Sequence, residues 1–299
     1  MKIHIDQSAG FCFGVRKAIQ LAEDELARTG HLYCLGQVVH NEEEENRLKQ
    51  MGLEVIDYPE YEKLQNDTVL IRAHGEPPKT YKIAGDNKLN LIDGTCPIVI
   101  KLQNKIKRAS EDSSKTDRQV VVFGKRKHPE VVGLEGQAGD KITVIENYAD
   151  IGKIDFDKPL CIYAQTTKSL GEFYDLVQKL EEKYKTLHPH WNDAVKVNDS
   201  ICRHVSNRNE SLMTFALVND VVIFVGGEHS SNGKHLFGIC KAFNEKSWYI
   251  GNAGMLKAEW FVGARSVGVS GATSTPQWLL KEVAEAIEGI AALKYREMD

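Results

Sequence analysis

The sequence predicts an α/β protein made of one module written three times, with mostly parallel sheets. Three observations lead there. Short strand-like runs ending in Asp precede three cysteines: KIHID before Cys12, LNLID before Cys96 and VKVND before Cys202. Each of these cysteines opens a segment with helical spacing. Polar residues then follow at similar offsets. His40, His128 and Ser230 lie 28, 32 and 28 residues past their cysteines, and His74, Thr166 and Ser274 lie 62, 70 and 72 past them.

The elements follow in order. Lys2 to Asp6 reads as a strand, and after Cys12 the residues Val15, Ala18, Ile19, Ala22 and Leu26 share one helical face. LYCLG, LEVID and VLIRAHG read as the strands of the first module. Pro97, directly after Cys96, suits the first position of a helix, where its missing N–H costs nothing. Val99, Leu102, Ile106 and Ala109 continue that helix, and VVVFG, ITVIE and LCIYAQTT follow as strands. In the third module the helix around Val205, Leu212 and Ala216 is less regular, and its strands are VVIFVGG, WYIG and VGVSGATS. The last helix (Leu279, Val283, Ala286, Ile290, Leu293) has no strand after it, whereas the N-terminus has one to spare. The modules are therefore expected at 13–96, 97–199 and 200–293, with residues 1–12 completing the third and 294–299 a short tail. Alternating strands and helices imply parallel sheets joined by right-handed crossovers. Ligands bind such sheets beyond the carboxyl ends of the strands, where all the polar residues above fall. Three such ends turned inward would build one central site.

At 299 residues, with 42% hydrophobic and 27% charged residues, the chain has ample core material. A formal charge of −4 provides no global basic surface for nucleic acid. The triplet Lys125-Arg126-Lys127 is a local anion contact at most, or simply a solvated loop. The start, MKIHIDQSAG, lacks the layout of a signal peptide, and the apolar runs fall short of the roughly 20 residues that span a bilayer. The expectation is a cytoplasmic protein without membrane or nucleic-acid partners.

The six cysteines are too far apart for a zinc ribbon or a ferredoxin-type run, and a reducing compartment disfavours disulfides. Cys12, Cys96 and Cys202 sit at strand-to-helix turns, where helix amides favour thiolate. A lone cysteine is more often a small buried hydrophobe. Three at one place in a repeated module point instead to a shared metal: a cubane iron–sulfur cluster with one iron free of protein, or zinc with three thiolates. Cys34 and Cys161 fall within strands and Cys240 within a helix, so they read as core. His40, His74 and His128 precede Asn, Gly and Pro and belong on loops. With Ser230, Ser231, Asn232 and Ser274 they form a candidate anion cradle. Glu130, after Pro129 and beside His128, is placed as a proton donor. The stretch GGEHSSNGKH fails as a phosphate loop, because its glycine spacing is wrong and no Ser or Thr follows Lys234.

GFCFGV at Cys12, VVHN at His40, AHG at His74, TCP at Cys96, HPEVVG at Glu130, QTT at Thr166, SSN at Ser230 and the Ser274-Thr275-Pro276 turn stand together in order. In these motifs, from Lys2 to about Leu293, the chain resembles the 4-hydroxy-3-methylbut-2-enyl diphosphate reductase (LytB-type) family. The resemblance implies three pseudo-threefold-related modules, a trefoil, around one 4Fe–4S cluster per chain held by Cys12, Cys96 and Cys202. It implies reductive dehydroxylation of the allylic diphosphate to isopentenyl and dimethylallyl diphosphate, the last step of the non-mevalonate isoprenoid route. His40, His74, His128, Ser230, Ser231, Asn232 and Ser274 would then hold the substrate. Thr166 would orient its hydroxyl, Glu130 would supply the proton, and ferredoxin or flavodoxin would supply single electrons. The sequence departs from the family pattern at Val205, where a hydroxyl is usual. A quinolinate-synthase-like dehydratase would need a dicarboxylate pocket, whereas these loops supply histidines and hydroxyls. A cluster-based redox sensor would need no pocket glutamate and should have an effector-binding or nucleic-acid-binding region, which the sequence does not offer.

Overall fold

The computed structural model describes residues 1–139 and 141–296, apart from the side chains of Ser114, Lys115, Ser231 and 293–296. The chain begins with β1 (Lys2–Ile5), α1 (Phe13–Thr29), β2 (Leu32–Leu35), α2 (Glu42–Gln50) and β3 (Leu53–Ile56). A single turn, α3 (Tyr58–Tyr61), leads to β4 (Thr68–Ile71) and α4 (Pro78–Asp86). Next come β5 (Asn90–Asp93), α5 (Pro97–Thr116), β6 (Gln119–Phe123), α6 (Pro129–Gln137), β7 (Ile142–Ile145), β8 (Leu160–Ala164) and α7 (Leu170–Leu187). The last stretch holds β9 (Val195–Asn198), α8 (Arg203–Leu217), β10 (Val221–Val225), α9 (Ser231–Phe243), β11 (Ser247–Ile250), β12 (Ser266–Gly271) and α10 (Gln277–Arg296). Of the expected tail, 294–296 continue α10, and residues 297–299 lie outside the described residues.

The strands form three four-stranded sheets, ordered β1-β12-β10-β11, β3-β2-β4-β5 and β7-β6-β8-β9. By contact the chain divides into two compact units, Met1–Asp57 with Asn207–Asp299, and Tyr58–Ser206.

In the first unit β1 lies parallel to β12, with Lys2 opposite Ser266 and Ile5 opposite Val269, so the spare N-terminal strand enters the last sheet. The central strand β10 is buried along its whole length, as expected for a parallel strand covered on both faces. Its alternate residues go to opposite cores. Val221, Ile223 and Val225 meet Leu279, Leu280, Val283 and Ile287 of α10. Val222 and Phe224 meet Leu212 and Ala216 of α8 and Leu236 and Cys240 of α9. Each such side chain contributes roughly 1.5–3 kcal/mol when fully buried.

The second unit repeats the layout. Val121, Phe123, Leu160 and Ile162 pack on Phe173, Leu176 and Leu180 of α7. Val120 and Val122 pack on Leu102 and Ile106 of α5 and Val131 and Leu134 of α6. Cys34, Cys161 and Cys240 are all in these interiors or in β2. Burial pushes the Cys240 thiol up to about 12 and raises that of Cys161, so both remain neutral packing groups.

Candidate functional site

The Asp before each candidate cysteine shapes the turn that presents it. In the first unit the Asp6 carboxylate accepts from the Ser8 amide and hydroxyl, at 2.9 and 2.7 Å. In the second unit Asp93 accepts from the Thr95 amide and hydroxyl, at 2.9 and 2.5 Å, and Asp199 from the Ile201 amide at 3.1 Å. These are Asx turns, in which a short carboxylate substitutes for a backbone acceptor.

Each cysteine then starts a helix. The amides of Arg16, Ile100 and Ser206 donate to the carbonyls of Cys12, Cys96 and Cys202 at 2.9, 3.0 and 3.0 Å. Each cysteine amide donates back to the loop that follows a strand, β12, β4 or β8: Cys12 to Thr273 at 3.3 Å, Cys96 to Ala73 at 3.0 Å and Cys202 to Thr166 at 2.8 Å. All three thiols are half-buried, in contrast to the buried Cys34, Cys161 and Cys240. Helix N-termini ordinarily attract acidic side chains, and α2 has four in its first turn. The three cysteine-led helices have none. Their N-terminal field is left to whatever the thiols hold. Each thiol is a half-exposed soft donor of the kind that iron–sulfur clusters and zinc ions take.

The second polar residue of each module stands at a helix start and not on an open loop. His40 immediately precedes Asn41, the cap of α2, whose Oδ1 accepts from Glu44 N at 3.1 Å. His128 itself caps α6 and Ser230 caps α9. The sequence signals for these short helices were present in Asn41 before four glutamates and in Pro129 at a first helical position. His128 Nδ1 accepts from the Glu130 amide at 3.2 Å, so a neutral ring has its proton on Nε2. His74 stacks edge-on against it, with centroids 5.2 Å apart.

In the first unit the Ser230 and Ser274 hydroxyls are 3.4 Å apart, and Asn232 donates to the Thr273 hydroxyl at 2.9 Å. The side chain of Ser231 lies outside the described residues. Three residues that sequence reasoning passed over hold this loop. Tyr249 donates its hydroxyl to the Gly227 carbonyl at 2.6 Å, and Glu42 accepts from the Glu228 amide at 3.1 Å. A Cβ at Gly227 would lie 2.5 Å from the His40 carbonyl oxygen, so only glycine allows the loop to close on the His40 turn.

Glu130 is 1% exposed. Its Oε1 accepts from the Thr166 amide and its Oε2 from the Thr166 hydroxyl, both at 2.7 Å. Burial outweighs these two bonds and pushes the carboxyl up to about 7. An acid with that value is available both protonated and ionised at neutral pH. Val205, also buried, supplies no hydroxyl where the family pattern has one.

The chain is similar to known proteins along nearly its whole length. The family model described as LytB protein matches residues 3–288. A protein of Bacteroides fragilis named 4-hydroxy-3-methylbut-2-enyl diphosphate reductase is 46% identical over 288 residues, covering 96% of this chain and 98% of that one. One of the same name from Chloroherpeton thalassium is 43% identical, covering 98% of each. A solved structure described as (E)-4-hydroxy-3-methyl-but-2-enyl diphosphate reductase, the terminal enzyme of the non-mevalonate pathway, superposes with a TM-score of 0.71 at 36% identity, over 97% of this chain and all of that one. The corresponding reductase of Plasmodium falciparum gives a TM-score of 0.80 at 26% identity, over 95% and 87%. The chain belongs to the LytB protein family.

Proposed function

We propose that the chain reductively removes the hydroxyl of 4-hydroxy-3-methylbut-2-enyl diphosphate, giving isopentenyl and dimethylallyl diphosphate, and that Cys12, Cys96 and Cys202 hold a 4Fe–4S cluster for the purpose. The observation that carries this reading lies within one unit. The buried acid Glu130 is bound to Thr166, whose carbonyl takes the amide of Cys202. A proton donor is thus linked through one residue to a candidate metal ligand. When bound, the cluster would supply single electrons and a Lewis-acidic iron.

The chain's own residues would do the rest. His40, His74 and His128, with Ser230, Ser231, Asn232 and Ser274, would donate hydrogen bonds to the diphosphate. Charge-assisted bonds of this kind are the strong ones. The Thr166 hydroxyl, now on Glu130, would turn to the substrate hydroxyl. Glu130 would give that hydroxyl its proton, so that it departs as water. Two electrons and a second proton, delivered to either end of the allylic carbons, would complete the two products. Three modules, at 13–96, 97–199 and 200–293 with 1–12, would each contribute two strand-end loops to this site, with the cysteines at or near the module junctions.

Among the described residues no helix is long and apolar enough to cross a membrane. We place the protein in the cytoplasm, with ferredoxin or flavodoxin as its electron donor. The test is anaerobic preparation with iron, zinc and sulfide analysis, followed by incubation with the hydroxylated diphosphate and reduced methyl viologen. Four irons, four sulfides and the two isoprenoid diphosphates are the expected result. Zinc in place of iron, or no product from loaded protein, would overturn it.

A further inference from the structure

The outward face of α5 carries a charge pattern that neither the fold nor the diphosphate explains. Cys96 caps this helix, and its inward face is the buried run Val99, Leu102 and Ile106. On the opposite stripe Lys101, Lys105 and Arg108 follow at i, i+4 and i+7, with Ile100 and Lys107 on one flank and Ile98 on the other. All six are exposed, the two isoleucines to 38% and 40%. No acidic residue occurs between Cys96 and Glu111, in a chain whose formal charge is −4. The signs are segregated along the stripe, with Glu111 and Asp112 only at its far end, whereas a face that only needed solubility would intersperse them. The other basic run of this unit, Lys125 to Lys127, is partly committed. Arg126 donates to the Val144 carbonyl at 3.0 Å, and its amide donates to Glu146 at 2.9 Å.

We infer that this face of α5 is the docking surface for an acidic one-electron carrier protein. The inference rests on the reading that Cys96 is a cluster ligand. Ile100, exposed and one helical turn from Cys96, supplies an apolar contact where a carrier's redox centre must approach. The four cations then extend along the helix; Lys105 is about 14 Å along the axis from Cys96 at 1.5 Å per residue. Opposite charge steers such encounters and orients them, and added salt screens the effect. A carrier rimmed with Asp and Glu would seat its apolar centre on Ile100, and its rim on Lys101, Lys105 and Arg108. One electron passes per encounter, from the reduced carrier to the cluster, so two encounters supply each turnover.

The experiment compares two electron sources on the cluster-loaded protein, with a small acidic bacterial ferredoxin and dithionite-reduced methyl viologen as probes. Lys101→Glu with Lys105→Glu should raise the KM for ferredoxin at least tenfold and flatten its dependence on salt. Viologen-driven turnover should remain within twofold. Calorimetric titration of ferredoxin into the loaded protein gives a readout free of turnover, and the double substitution should weaken that binding to the same degree. An unchanged ferredoxin KM, or equal losses with both electron sources, would overturn the assignment. So would a change in sedimentation showing that the face joins two copies of this chain. If wild-type protein fails with viologen, the proposed activity fails instead, and the ferredoxin titration still reports on the face.

Discussion

Replacing Glu130 by Gln separates catalysis from stability, because the residue's position is costly to the fold and useful to the reaction. The amide keeps the size of the carboxyl and can still accept from the Thr166 amide. The Thr166 hydroxyl can turn to accept from the new NH2 group. The fold has a stake through proton linkage. A carboxyl raised in the folded state, from 4.5 to about 7, gives its full stabilisation below about 4.5 and loses it as the pH climbs through about 7. At about 1.36 kcal/mol per pH unit, that interval makes the ionised wild-type residue cost about 3 kcal/mol at pH 8. Glu130→Gln removes the ionisation, so the variant is expected to equal or exceed wild-type stability at pH 8 and to lose that advantage near pH 4.5. Turnover should move the other way, falling about 100-fold or more, within the usual contribution of a general acid. Wild-type kcat should decline above about pH 7 as the acid ionises. Denaturant titrations at pH 5 and pH 8, with viologen-driven turnover on the same samples, measure both quantities. Near-normal turnover by a variant with its iron intact would refute the assignment of the proton to Glu130.

Cys12→Ser, Cys96→Ser and Cys202→Ser should each lose iron and activity, whereas Cys34→Ala, Cys161→Ala and Cys240→Ala should keep both; iron and sulfide analysis decides. Replacing His40 or His74 by Ala should weaken diphosphate binding by about 1.5–3 kcal/mol, the value of a charge-assisted bond, with a direct binding titration as the measure. The monophosphate analogue should bind the wild-type protein poorly in the same titration. Arg208→Leu should destabilise the fold by about 3–5 kcal/mol in chemical denaturation, because it strands Asp6. These two form a buried pair at 2.8 Å, and the guanidinium also bonds Ser270 and the Gly271 carbonyl.

What the sequence revealed, and what it concealed, follows from the range of each interaction. All twelve strands were readable because short apolar runs between turn residues suffice to mark them, and the repetition of Asp before cysteine supplied their grouping. The N-terminal strand's partner was legible only by counting, since α10 lacks a strand after it. Burial of Glu130 was not legible. It depends on Thr166, thirty-six residues away, and the local sequence HPE reads equally well as a solvated loop. The irregular pattern of α8 has a similar cause, because the buried Arg208 occupies an inward position that a helix would normally fill with an apolar side chain. Glu42 and Tyr249 were invisible for the same reason, as both act on the backbone of a loop far along the chain.

The pairing of β1 with β12 puts a clock on biosynthesis. Lys2 is translated 264 residues ahead of its partner Ser266. At about 5–20 residues per second the N-terminal strand waits roughly 13–53 s with an unpaired edge. The amide of Cys12 waits equally long for the Thr273 carbonyl, whereas Cys96 and Cys202 gain their backbone acceptors, Ala73 and Thr166, as soon as they are themselves translated. Cys12 is therefore the last of the three to be fixed in place, and a nascent chain halted before Ser266 should expose residues 2–5 to protease. Whatever needs all three thiols in place would be loaded only after translation has passed Thr273.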